Sequence, residues 1–196
     1  MGKNVDYLQK IYERNPITGN YIIEVALDKY TDVFNDWDYA SYKKRDMDPE
    51  LAYFLEDCAD DIPGKYGLDI CFYIPKEIKD KRREEVIVVG IKTYYSFYLH
   101  SELKVLRATY KRIFLYILTS FLILLTKMFL VSVSKPTVLF NTISESMNIG
   151  GWVFLWEALS LVFINRSDSI ENTEKYKRFV NSNIYFKYNE DKQDIK

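Results

Sequence analysis

Polar and apolar positions are spread unevenly along this 196-residue chain: charged residues crowd the stretch before Arg112, and long apolar runs follow it. Before Arg112 the patterns are short. Residues 3–14 (KNVDYLQKIYER) set Val5, Leu8, Ile11 and Tyr12 on one side of a helix that Pro16 and Gly19 end. YIIEVALD then alternates, with Tyr21, Ile23, Val25 and Leu27 on one face and Ile22, Glu24, Ala26 and Asp28 on the other, which predicts a strand resting on a core. Asp48-Pro49 opens a second helix that runs to about Asp61. LDICFYIP is a second strand, with Leu68, Ile70, Phe72 and Ile74 inward. From Pro75 to Arg112 the spacing predicts one long helix, although Val86–Val89 before Gly90 also reads as a short strand. Beyond the apolar runs, Asp168 and Glu171 have capping-box spacing for a further helix. NIYFKY, residues 183–188, alternates as a returning third strand.

The first apolar run, residues 113–134, holds 14 Leu, Ile, Phe or Val among 22 residues. At roughly −0.3 to −0.6 kcal/mol each they favour membrane insertion by about 6 kcal/mol, against about 3 kcal/mol for a lysine at the centre. Lys127 lies off-centre, where its stem can snorkel, so the apolar sum wins. The second run, residues 146–164, gains about 4 kcal/mol from nine such residues and loses most of it to Glu157. It is expected to insert as the second half of a hairpin with Glu157 turned toward protein. Pro136 allows this helix to begin well before Ser146. The soluble alternative is a buried helical pair, which needs a larger covering layer than a chain of this size supplies. Lys104, Arg107, Lys111 and Arg112 precede the first span, and Arg166, Lys175, Lys177 and Arg178 follow the second. The connection carries only Lys135, balanced by Glu145. That asymmetry places both termini in the cytoplasm.

At 100° per residue, Tyr116, Ser120, Lys127 and Ser134 share one stripe of the first span, and Ser146, Gly150, Glu157 and Ser160 share one stripe of the second. Lipid rejects both, so the two seams are expected to face each other or a shared interior. With Ile113 and Ile164 at one membrane edge, facing residue numbers sum to 277, which sets Lys127 level with Gly150 and Glu157 level with Ser120. The seam either holds one hairpin or several together, or lines an aqueous path.

A net charge of −1 gives no reason to expect nucleic acid as a partner. Two distant cysteines, Cys58 and Cys71, form neither a metal motif nor a disulfide framework. The amino-terminal residues have no signal-peptide core, and Met-Gly lacks the Ser or Thr of a myristoylation site. Asp32, Asp36 and Asp38 could hold a divalent cation through hard oxygen ligands, but the loop lacks the glycine and distal glutamate of an EF-hand. The structural alternative has Phe34 and Trp37 plugging this loop into the core while its carboxylates cap turns or pair with Lys43, Lys44 and Arg45. His100, the single histidine, has no nucleophile motif beside it, and no glycine-rich phosphate loop or other cofactor motif occurs.

The order FNDWD, KKRDMDPEL, a long charged helix and GGWVFLWE resembles a group of small, functionally uncharacterised bacterial membrane proteins with an amino-terminal cytoplasmic domain and a carboxy-terminal transmembrane hairpin. The likeness covers most of the chain and implies a bacterial cytoplasmic membrane, with no particular chemistry. That group carries a basic residue and a proline after the second tryptophan, where Glu157 and Ala158 stand here.

The expected architecture is therefore α+β: a cytoplasmic domain of residues 1–111 with a small two- or three-stranded sheet and a long helix leading out of it, a hairpin at 112–165, and a cytoplasmic tail at 166–196. The expected function is that of a non-enzymatic, multi-pass protein of the cell membrane. Its cytoplasmic domain binds a ligand or protein partner, and its hairpin self-associates as a homo-oligomer; the polar seams suggest a membrane-perturbing or channel-like effector as a subtype. The alternative is a membrane-tethered, metal-dependent enzyme using the acidic loop 32–48.

Overall fold

The computed structural model describes residues 3–35, 37–38, 46–133, 135 and 137–189. The fold is α+β, mostly helical, with one small sheet. In chain order the elements are α1 (Lys3–Ile11), β1 (Tyr21–Ala26), α2 (Pro49–Asp61), β2 (Leu68–Pro75), α3 (Lys81–Val133), α4 (Val138–Ser160), α5 (Arg166–Val180) and β3 (Asn183–Asn189), with a π-helical stretch at Leu161–Asn165 joining α4 to α5. They form two compact units, one of Met1–His100 with Thr173–Lys196, the other of Ser101–Asn172.

The alternation of Tyr21, Ile23, Val25 and of Leu68, Ile70, Phe72, Ile74 becomes the inward face of two adjacent strands, all buried. β3 joins them, so the sheet has three strands in the order β1-β2-β3, with both pairings parallel. Parallel neighbours need crossover connections. The first passes through α2. Asp48 caps that helix, its Oδ1 accepting from the amides of Glu50 (2.9 Å) and Leu51 (3.1 Å), with Pro49 in the first turn. The second connection spans residues 76–182, and the whole of the other unit is inserted into it.

Within the first unit, Ile87, Ile91 and Tyr95 stand four apart on α3 and are all buried. The Tyr95 ring stacks on Phe179 of α5 with centroids 4.1 Å apart. Arg178, also on α5, closes the carboxyl end of α2. Its Nη1, Nη2 and Nε donate to the carbonyls of Ala59, Ile62 and Tyr66, each at 3.0 Å. Lys175 Nζ reaches Asp60 Oδ2 at 2.9 Å and Glu56 at 3.8 Å.

Of three boundaries, the early start of α4 and the helical Val86–Val89 fall as expected, and the start of α5 does not. α4 starts eight residues before Ser146, capped by Thr137, whose Oγ1 accepts from the Phe140 amide at 3.3 Å. Asp168 does not stand where a helix begins, because helical backbone already runs through Leu161–Asn165 into α5, and the residue falls in that helix's first turn. Val86–Val89 is helical, inside α3.

Candidate functional site

In the second unit, α3 and α4 face each other through residues spaced by seven. Leu106, Ile113 and Ser120 are buried on α3; Ser144, Gly151 and Ala158 are buried on α4. A seven-residue repeat keeps one face toward a partner helix, and small residues let two backbones approach closely. Ser120 Oγ donates to the Gly151 carbonyl at 2.7 Å, and the Tyr116 ring lies 6.0 Å from that of Phe154. A Cβ on Gly151 would sit 2.8 Å from Leu124, so no larger residue fits without displacing it.

Ser120 with Gly151 and Tyr116 with Phe154 give facing numbers that sum to 271 and 270. The register is thus six residues from the expected one, a slide of about 9 Å. The expectation assumed flush helix ends, whereas the Ser120–Gly151 bond and the Tyr116–Phe154 contact set those ends apart. Lys127 consequently lies level with Ser144, and Glu157 level with Phe114. No ion pair joins Lys127 to Glu157 among the described residues.

The two polar stripes therefore have different fates. Tyr116, Ser120 and Lys127 belong to the α3 face that meets α4, and all three are buried or half-buried; Ser134 lies outside the described residues. On α4, Ser146 and Glu157 are exposed, and Gly150 and Ser160 are half-buried. Nothing lies within 4 Å of where a Gly150 Cβ would be. This stripe points roughly 130° away from Ser144, Gly151 and Ala158 at 100° per residue, so it is not the face that packs on α3. Most hydroxyls on the outer surface of the pair bond to their own helix. Thr126 donates to the Leu122 carbonyl, Ser132 to Phe129, Thr142 to Val138 and Ser146 to Thr142, at 2.7–3.0 Å. Glu157 is left without such a bond among the described residues.

In the first unit the acidic loop is tied to backbone. Asp32 Oδ2 accepts from the Lys29 amide at 2.9 Å, and Asp38 Oδ2 from the Asp46 amide at 2.7 Å. Asp36 and Lys43–Arg45 lie outside the described residues. Among the described residues no group of three or more His, Cys, Asp or Glu is placed to hold a metal ion. Phe34 is buried, as the plug reading expects, but Trp37 is 96% exposed and plugs nothing. His100 is exposed on α3.

Sequence reasoning missed one polar centre of this unit altogether. Asp69, on the face of β2 opposite the core, is fully buried and accepts from Asn15 Nδ2 (2.6 Å), Asn20 Nδ2 (2.8 Å), Thr18 Oγ1 (3.0 Å) and Asn183 Nδ2 (3.2 Å). A buried carboxylate with several hydrogen-bond donors is satisfied without a cation partner. It ties the turn at residues 15–20 and the start of β3 to the central strand. Both cysteines are buried, and burial pushes their thiols up from 9.0, away from the reactive thiolate.

Comparison with known protein families, with curated proteins and with solved structures finds no match to this chain. What the structure offers toward function is a pair of helices, α3 and the stretch from Val138 to Phe163, each long and apolar enough to cross a membrane.

Proposed function

We propose that this chain is a non-enzymatic integral membrane protein. Residues 112–165 supply a two-helix transmembrane hairpin, the first unit lies in the cytoplasm, and the hairpin self-associates through the uncovered stripe of α4. The observation that carries the reading is the direction in which apolar side chains point. In the most apolar eighteen residues of each helix only 11% is buried within the chain, while Phe114, Phe121, Phe129, Trp152 and Trp156 stand out from its surface. A core helix of a water-soluble domain has the reverse distribution, and exposed apolar surface on this scale marks contact with lipid or protein. The outer hydroxyls suit hydrocarbon because they bond to their own helices, which lipid requires of every polar group. Orientation follows from the basic residues that flank the two helices and are nearly missing from their connection.

Glu157 motivates self-association. An ionisable group in an apolar belt is costly toward lipid and turns to a protein partner. Two parallel copies of α4 bring the same stripe together, with Gly150 allowing close approach and Ser160 of each copy one turn from Glu157 of the other.

The test has two readouts. Alkaline carbonate extraction of membranes should leave the chain in the pellet; release into the supernatant sinks the membrane reading. Gly150→Cys should then crosslink to a dimer in native membranes while Trp152→Cys does not, the two native cysteines being buried in the other unit. A pelleted protein with no crosslink at position 150 leaves the hairpin standing and removes self-association through this stripe.

A further inference from the structure

A cavity of about 330 Å³ opens in the first unit beside the ends of the parallel strands. One wall comes from the residues after β1, Tyr30 and Phe34 among them; the other is the first two turns of α3, which follow β2. β3 ends there too, since the hydroxyls of Tyr30 and Tyr188 both donate to Glu84 Oε1, at 2.8 and 2.7 Å. The crevice lies outside the carboxyl ends of the strands, and its volume falls in the range of small-molecule sites.

We infer that this crevice binds a small amphipathic anion, an apolar body carrying a carboxylate or phosphate head. The inference concerns the first unit alone and stands whether or not the second enters a membrane. Phe34, Val86 and Ile87 provide an apolar floor, and Phe34 and Ile87 are themselves buried. The neutral polar groups of the wall are already engaged. The Tyr30 hydroxyl accepts from the Asp80 amide at 2.9 Å while donating to Glu84, and burial pushes its phenol up to about 12, so it stays a neutral group. Asp80 Oδ1 accepts from the amides of Arg82 (3.0 Å) and Arg83 (3.2 Å), which removes the helix amides as a binding site for anything else. Arg83 Nε lies 3.3 Å from Asp80 Oδ2 and offsets that carboxylate.

What remains at the mouth is cationic. The Arg82 side chain has no partner among the described residues, and Arg83 keeps the outer nitrogens of its guanidinium. A guanidinium presents a planar fork of donors that matches a carboxylate or phosphate. An apolar floor beneath two arginines discriminates by charge at one end of the ligand and by burial at the other.

The experiment uses the full-length chain in zwitterionic-lipid nanodiscs and follows binding of 4-phenylbutyrate, phenyl phosphate and the neutral 4-phenylbutanol by saturation-transfer NMR. Both acids should bind at least tenfold more tightly than the alcohol. Arg82→Gln with Arg83→Gln should erase that preference and leave the alcohol unchanged, and these exposed side chains can change without harm to the core. Val86→Trp, which fills the cavity, should remove binding of all three. Organic extraction of purified protein separates the sources: a long-chain acid retained by the wild type and lost from the double variant indicates a membrane lipid, whereas binding of the short acids alone indicates a soluble metabolite. Equal affinity for acid and alcohol, no binding by any of the three, or an acid preference that survives the double substitution overturns the proposal.

Discussion

The two units of this chain obey opposite packing rules. In the first, most of the residues with least exposure are large and apolar, Tyr21, Leu55, Ile70, Phe72 and Phe179 among them. In the second, the residues hidden between the helices are mostly small or polar, Ser120 and Ala158 at 2% and Ser144 at 8%, while Phe121 at 62% and Trp156 at 71% face out. Water drives apolar bulk inward, and that drive accounts for the first unit. It has no counterpart in hydrocarbon, where helices associate by close backbone approach and hydrogen bonds between small and polar residues. On the membrane reading proposed above, one sequence carries instructions for two solvents, and the change occurs partway along a single helix, α3.

The sharpest way to break that comparison is to make the same truncation in each unit. Phe72→Ala in β2 should destabilise the first unit by about 3–5 kcal/mol, the range for removing a buried aromatic. Phe121→Ala on the outer face of α3 should cost less than about 1 kcal/mol in a bilayer, because acyl chains fill the space left behind. Hydrogen exchange of the full chain in nanodiscs reads both, from the amides of β1 and β2 for the first and of α3 and α4 for the second. Equal losses would mean that Phe121 is covered by protein, and the contrast between the units would fail.

A smaller effect sharpens the second unit's rule. Gly151→Val puts a branched side chain where even a Cβ lies 2.8 Å from Leu124, and should cost about 1–3 kcal/mol by overpacking. Ser120→Ala removes the 2.7 Å bond to the Gly151 carbonyl and should cost about 0.6 kcal/mol, the average for such bonds within membranes. Gly150→Val, one residue away on the open stripe, should leave the intramolecular pair intact. Förster transfer between labels on the exposed ends of α3 and α4 in nanodiscs would rank the three. Parity between positions 150 and 151 would refute the register described here.

Much of the first unit could be read along the chain because its patterns are local. Alternation fixed β1 and β2 to within a residue or two, and Asp48-Pro49 fixed the start of α2. What stayed hidden depends on partners far away in sequence. Arg178 looks like one of several basic residues beyond the apolar runs, yet it holds three carbonyls more than a hundred residues earlier. Asp69 breaks no strand pattern, and its four donors come from two separate segments, the turn at 15–20 and the start of β3. Trp37 misled because an aperiodic loop carries no indication of which side faces the core. In the second unit the polar stripe of α4 drew attention from the quieter repeat Ser144, Gly151, Ala158, which is visible at a spacing of seven once small residues are sought. The capping-box spacing at Asp168 misled because such a box has meaning only where a helix begins, and here the backbone is already helical.

The smallest expected effect concerns how each unit treats a glutamate. Glu157 is exposed among apolar residues of α4, where the proposed self-association would give it a partner, whereas Glu56 in α2 already has one, Lys175 Nζ at 3.8 Å, with 26% of its side chain exposed. Burial nevertheless raises the Glu56 carboxyl above its ordinary 4.5, with the nearby Asp60 adding to the rise while Lys175 and Tyr176 oppose it. A raised folded value favours the protonated form, so the contribution of Glu56 to stability is fully present below pH 4.5 and is lost as pH climbs through the raised value. Ionised Glu56 is therefore a small net cost at neutral pH in spite of its lysine. Glu56→Gln should leave stability at pH 7 unchanged or raise it by less than about 1 kcal/mol, the scale of partly exposed pairs, and should flatten the pH dependence just above 4.5. Thermal unfolding of the first unit across that range, wild type against variant, is the measurement. A loss of stability at neutral pH would mean that the Lys175 pair outweighs desolvation, and that the first unit depends on that pair to hold Glu56.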